Sequence, residues 1–212
     1  MNFIEKVRNF EGQPMNRQVM LEILRDYKRP YDKITELIRQ EMLIQVKRGL
    51  FIAGPRSLTS APENLLLANH ICGPSYISSD TALSYWGLIP ERVYEFISMT
   101  TNQGKIFKTP VGRFRYIRLS LPYYSLGLQR VQLATQQMAL IACKEKALCD
   151  KIVTTQRLVL RSIRQTKEYL TEDLRISREA LRELNTSAIN DYLNDTPKKE
   201  SILLLIKTLN DL

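Results

Sequence analysis

The sequence predicts an α+β protein in two parts, a small helical N-terminal unit closed by a β-hairpin and a larger mixed unit that ends in helices. Three observations carry this. Apolar residues recur at helical spacing through the first 42 positions, and two short β-type runs then flank Lys47-Arg48-Gly49. A stretch rich in Pro, Ser and Gly, AGPRSLTSAP at 53–62, reads as a linker. Beyond it, runs rich in β-branched and aromatic residues occupy 94–142, and helical spacing returns from Lys144. The expected division is residues 1–54 and 55–212.

The first helix is expected over 2–10, with Phe3, Ile4, Val7 and Phe10 on one face, broken by Glu11-Gly12-Gln13-Pro14. Asn16 is the expected N-cap of a second helix carrying Val19, Met20, Ile23 and Leu24. A third starts near Pro30, since proline suits a first turn. Its apolar positions are Ile34, Leu37 and Ile38, with Met42 a turn later, so Lys33, Thr35, Glu36, Arg39 and Gln40 face outward. The strands on either side of Lys47-Arg48-Gly49 read as a tight hairpin whose glycine supplies the positive φ of the turn.

The second unit opens with a helix capped at Ser60, with Pro62 near its start and Glu63 in its first turn, ending near Gly73. Ser78, Ser79 and Asp80 are expected to cap a short helix through Trp86, stopped by Gly87. Strands are expected at 94–101, 111–120, 128–135 and 138–142. Arg113 and Arg115 then share one strand face, with Phe114 and Tyr116 on the other. Tyr76, Tyr85 and Trp86 read as core. Glu145, Lys146 and Asp150 read as local ion pairs on a solvated helix. Ser177 and Thr186 are expected caps, and Pro197 marks a break before a last helix, which should pack on the domain rather than lie on a membrane.

Three helices followed by a hairpin within about 50 residues is the order of a winged helix-turn-helix. The net charge of +9 favours a polyanionic partner. The excess is densest at the start, where residues 1–60 hold 11 Lys and Arg against 7 Asp and Glu. A helix fits the major groove of B-DNA, and a basic hairpin tip can follow the phosphates. The expected DNA-binding residues are Arg17, just after the Asn16 cap, Lys28, then Arg29, Tyr31, Lys33, Arg39 and Gln40 on or just before the third helix, with Lys47 and Arg48 at the wing tip. Arg113 and Arg115 are candidates for extending that basic surface onto the second unit, with solvated strand charges as the default reading. The same fold order also serves protein–protein interaction, which is the alternative reading.

Other classes find little support. The three cysteines, Cys72, Cys143 and Cys149, form no C-x-x-C pair, and His70 is the single histidine, so no zinc site of ordinary spacing is expected. No cofactor motif, nucleophile elbow or P-loop occurs. A nuclease would want a Glu-x-Lys; the nearest thing is Asp26-Tyr27-Lys28, within the helical unit. A non-enzyme is therefore expected. The N-terminus has no continuous apolar stretch and no run of about 18 apolar residues occurs, so a cytoplasmic protein with no membrane partner is expected.

Four ordered segments carry a family resemblance. ITELIRQEMLIQVKRGLFIAG (34–54), GPSYISSDTALSYWGLIPE (73–91), TPVGRFRYIRL (109–119) and IACKEKALCDKI (141–152) resemble the AbiEi-type antitoxin and transcriptional regulator family. The sequence departs from it at Cys143-Lys144, where many relatives have Thr-Pro or Asp-Pro before Glu-Lys. The resemblance implies an N-terminal winged helix that binds inverted repeats in its own promoter as a repressor. It also implies a C-terminal domain that counteracts a nucleotidyltransferase toxin, without a required stable complex, in a type IV toxin–antitoxin (abortive-infection) system.

Overall fold

The computed structural model describes residues 3–57, 59–91 and 93–212; Asn2 of the expected first helix and Leu58 of the expected linker lie outside the described residues. The chain is α+β with a helical C-terminal tail. Helix α1 (Phe3–Arg8) buries Phe3 and Val7, and the chain turns at Gly12, φ 68°. A two-residue strand β1 (Met15–Asn16) follows, too short to leave a periodic signal. Asn16 then caps α2 (Arg17–Ile23), its side chain accepting from Val19 N at 2.9 Å. Helix α3 (Pro30–Arg39) starts at the expected proline and buries Ile34 and Leu37. Strands β2 (Leu43–Lys47) and β3 (Leu50–Ala53) form the hairpin, with Gly49 at φ 78°. Strand β1 adds to its far edge, giving an antiparallel sheet ordered β1-β3-β2.

After a single 3₁₀ turn at Pro55–Ser57 comes α4 (Asn64–Ile71). Ser60 does not cap it. Its amide and hydroxyl both donate to Glu11 Oε1, tying the connecting segment back to the N-terminal unit. Strand β4 (Ser75–Ile77) leads into α5 (Ser79–Tyr85), which Gly87 ends at φ 70°. Strands β5 (Glu95–Thr100) and β7 (Gly112–Arg118) lie where expected, but β6 (Lys105–Thr109) lies between them in sequence. Because β6 and β7 form the hairpin, β5 pairs parallel with β7. Strands β8 (Leu128–Ala134) and β9 (Gln137–Ala142) complete a six-stranded sheet, β6-β7-β5-β4-β9-β8.

Alternation along the strands assigns its two faces. Ile77, Ser98 and Tyr116 share one face, where the Tyr116 hydroxyl donates to Ala68 O on α4 at 2.6 Å. Tyr76 and Met99 share the other, packed by α6 (Lys144–Thr154). Short helices α7 (Ile163–Glu168), α8 (Arg178–Arg182) and α9 (Thr186–Asp191) follow, α7 running into a π-helical turn at Tyr169–Asp173. Ser177 caps α8 as expected, whereas Asn185, not Thr186, caps α9. The last helix, α10 (Lys199–Asn210), buries Ile202, Leu205 and Leu209 in the second core. No helix among the described residues is long and apolar enough to cross a membrane.

The buried apolar residues fall into two clusters, and β3 belongs to both. Phe51 and Ala53 join the N-terminal cluster with Phe3, Met20, Leu24 and Leu37. Leu50 and Ile52, with Val46 of β2, join the second cluster beside Leu67, Ile71 and Tyr76. One strand, read at period two, thus serves two cores.

Candidate nucleic-acid interface

The exposed face of α3 carries Tyr31, Thr35 and Arg39 at four-residue intervals, so they stand one above another. Tyr31 is 50% exposed. Arg17, at the start of α2, lies over its ring at 5.1 Å and donates to its hydroxyl. The hairpin faces this stripe across a recess lined by Arg17, Tyr31, Ile34, Thr35, Ile38, Gln45, Arg48, Gly49 and Phe51. Arg48 is exposed at the turn, and Arg39 is exposed in the last turn of α3. Lys28 is exposed just before α3, and Arg29 lies 3.8 Å from Asp32 with both side chains largely in solvent.

Two expected base readers are engaged within the helix instead. Lys33 donates to Glu36 Oε1 at 2.9 Å and lies 5.4 Å from the Tyr27 ring centroid. Gln40 donates to the same oxygen at 3.0 Å. Together, Lys33 first, they hold the Glu36 carboxyl below the usual carboxylate range.

Lys47 is not at a free tip. Its ammonium donates to Ile71 O at 2.5 Å, at the end of α4, and sits 5.9 Å from the Phe107 ring. Leu50, which pairs with Lys47, is buried in the second core, and that packing turns the side chain inward. Sequence reasoning missed Lys105, which approaches the same Phe107 ring at 5.0 Å. The two stand two residues apart on β6 and so share one strand face, a relation unseen without that strand.

Arg113 and Arg115 do share a strand face, but it does not continue the hairpin's surface. Phe107 pairs with Phe114, so the face toward the hairpin is the aromatic one, and the two arginines point to the opposite side. There both meet one carboxylate: Arg113 pairs with Glu95, and Arg115 Nε lies 2.7 Å from Glu95 Oε2.

A second polar constellation lies inside the second unit, where surface ion pairs were expected. Lys146 and Asp150 have side chains 0% exposed and meet at 2.5 Å. Asp150 also accepts from Ser78 at 2.7 Å and from the Tyr76 hydroxyl at 2.9 Å. The Lys146 ammonium donates to Tyr76 Oη at 2.9 Å and stands 3.6 Å from the Tyr123 ring centroid. Burial lowers the pKa of Lys146, against the raising pull of Asp150, and burial drives the Tyr76 and Tyr123 phenols up. Ser78 therefore bonds to α6 rather than capping α5, and Asp80 pairs with Lys151 at 2.7 Å. Cys143 caps α6, its sulfur accepting from Lys146 N at 3.4 Å, so the departure from the family pattern sits at a helix entry. Among the described residues no group of three His, Cys, Asp or Glu side chains gathers as a metal site.

The chain is similar in fold to the crystal structure of RV2827C protein from Mycobacterium tuberculosis, with a TM-score of 0.64 over 97% of this chain and 75% of that one. At 12% sequence identity the likeness is one of fold alone. No family model and no curated protein matches the sequence.

Proposed function

We propose that residues 3–54 form a winged helix that binds double-stranded DNA, and that the chain is a non-catalytic transcriptional regulator. The observation that carries this is that Arg17, Tyr31, Thr35 and Arg48 line one recess, with Arg39 exposed one turn beyond Thr35 on the same face of α3. The carboxylates closest in sequence are engaged elsewhere, Asp32 with Arg29 and Glu36 with Lys33. The helix–strand–helix–helix–strand–strand order and the net charge of +9 support the same reading.

In this reading α3 enters the major groove, Arg39 addresses a base edge, and Arg17, Lys28, Arg29 and Arg48 neutralise phosphates. Lys33, Gln40 and Lys47 support the helix and hairpin rather than touch DNA. The test is fluorescence anisotropy against the chain's own upstream DNA and a scrambled duplex at two salt concentrations. Tighter, salt-sensitive binding to the upstream DNA is expected. Arg48→Ala should weaken binding on both duplexes and reduce the salt slope by about 1. Arg39→Ala should cost about 1–3 kcal/mol on the preferred sequence and relax the preference. Equal, salt-insensitive binding, or none, overturns the reading and favours a protein-interaction module.

We further propose that the regulator is an autorepressing antitoxin of the type IV kind. The four-segment resemblance supports this, and the second unit would carry the neutralising role. Co-expression with a nucleotidyltransferase toxin encoded beside it should restore growth; undiminished toxicity overturns the antitoxin role and leaves the regulator standing.

A further inference from the structure

The recess between α3 and the hairpin has a floor that phosphate binding does not require. Its volume is about 340 Å³, and Ile34, Ile38 and Phe51 supply its apolar lining. Among the described residues no carboxylate lines it, and Arg17 and Arg48 flank it. A surface that only followed the backbone would present Lys and Arg throughout, because phosphates offer nothing apolar to cover.

Thr35 stands on the rim, exposed, with its hydroxyl donating back to Tyr31 O at 3.1 Å. The hydroxyl is thus engaged on its own helix, and the methyl is the group left to meet a partner. Across the recess, Gln45 is exposed on β2. In the major groove thymine is the base that offers a methyl group, and its partner adenine offers the acceptor–donor pair that a glutamine amide matches.

We propose that this recess reads T·A base pairs. The thymine C5-methyl packs against the Thr35 methyl and Ile38, Gln45 addresses the paired adenine, and Arg17 and Arg48 hold the flanking phosphates. This assignment rests on the reading of α3 and the hairpin as a duplex-binding face, and it names the sequence class that face selects.

The experiment uses the full chain and two duplexes of equal length, one of alternating dA and dT and one of alternating dA and dU. They share phosphates, minor-groove edges and base pairing, and differ in the thymine methyls. Tighter binding to the thymine duplex is expected, about fourfold for each methyl that is buried, with the same salt slope on both. Thr35→Val keeps the methyl and should keep the preference; Thr35→Ser keeps only the hydroxyl and should reduce it. Both variants change an exposed position, and circular dichroism confirms that they fold. Equal affinity for the two duplexes with steep salt dependence overturns the methyl reading and leaves duplex binding intact. A preference undiminished in Thr35→Ser overturns the assignment to this recess. Failure to bind either duplex, or a random-sequence one, overturns the duplex-binding reading and this inference with it.

Discussion

Folding strips water from the Lys146 ammonium and the Asp150 carboxylate, and their replacement shell is built from one another, Ser78, Tyr76 and the Tyr123 ring. Such a pair is sensitive to loss of one member, because the other stays buried and uncompensated. Lys146→Met should lower stability by about 3–5 kcal/mol in urea unfolding, and Lys146→Met with Asp150→Leu should recover much of that. Buried phenols give a second residue-level outcome. Burial pushes the Tyr169 phenol up to about 12 from an ordinary 10.0, with Asp80 and Asp173 adding in the same direction against a Thr155 hydrogen bond. Between those values the unfolded chain has released a proton that the folded one keeps, so stability falls as pH rises through this window and is whole below it. Tyr76, Tyr116, Tyr123 and Tyr192 shift in the same direction. Melting temperature should therefore drop between pH about 10 and about 12, with tyrosinate absorbance rising as the protein unfolds. The spacing of 146 and 150 made an ion pair legible, but not its burial. That depends on Tyr76 and Ser78, some 70 residues away, on and just after a strand too short to announce itself.

At the scale of elements, local chemistry was the readable part. The Asn16 cap, the Pro30 start, the Gly49 turn and the Gly87 stop all follow from side-chain preference at one position, and each lies where the sequence placed it. Asn16→Ala should cost about 1 kcal/mol, read as a lower urea midpoint. Two glycines of the hairpin should respond differently to alanine. At Gly49 the added Cβ would make only an ordinary van der Waals contact, 3.8 Å from Arg17 Cβ, so the loss is the backbone strain of a positive φ, about 1–2 kcal/mol. At Gly54 the Cβ would stand 2.2 Å from Glu41 O, a main-chain atom that cannot step aside. Gly54→Ala should thus lower the melting temperature more than Gly49→Ala, although its φ is ordinary. Strand β6 was illegible because Lys105–Thr109 is exposed at a sheet edge and shows no strong alternation. Missing it hid the parallel β5–β7 pairing, and with it the opposition of the aromatic and arginine faces.

Across the whole molecule, the two cores share the hairpin, and Lys47 and Ser60 add polar ties between the units. A single unfolding transition is therefore expected. Trp86, whose indole donates to Ala142 O, reports the second unit alone, while far-ultraviolet circular dichroism reports both. Their melting curves should coincide; an earlier loss of helix with Trp86 emission unchanged would show the units to be independent. Leu50→Ala, at the strand's inner side, should lower both curves together. The two dry faces of β3 also bear on inheritance. Recombination at residue 54 could not hand this protein a foreign N-terminal unit as a cassette. The incoming last strand would have to offer bulky apolar side chains at alternate positions on its far side, where an ordinary solvent-facing wing carries polar ones. The two units are then bound to diversify together, through changes on α3 and the turn that leave the even-numbered side of the strand untouched.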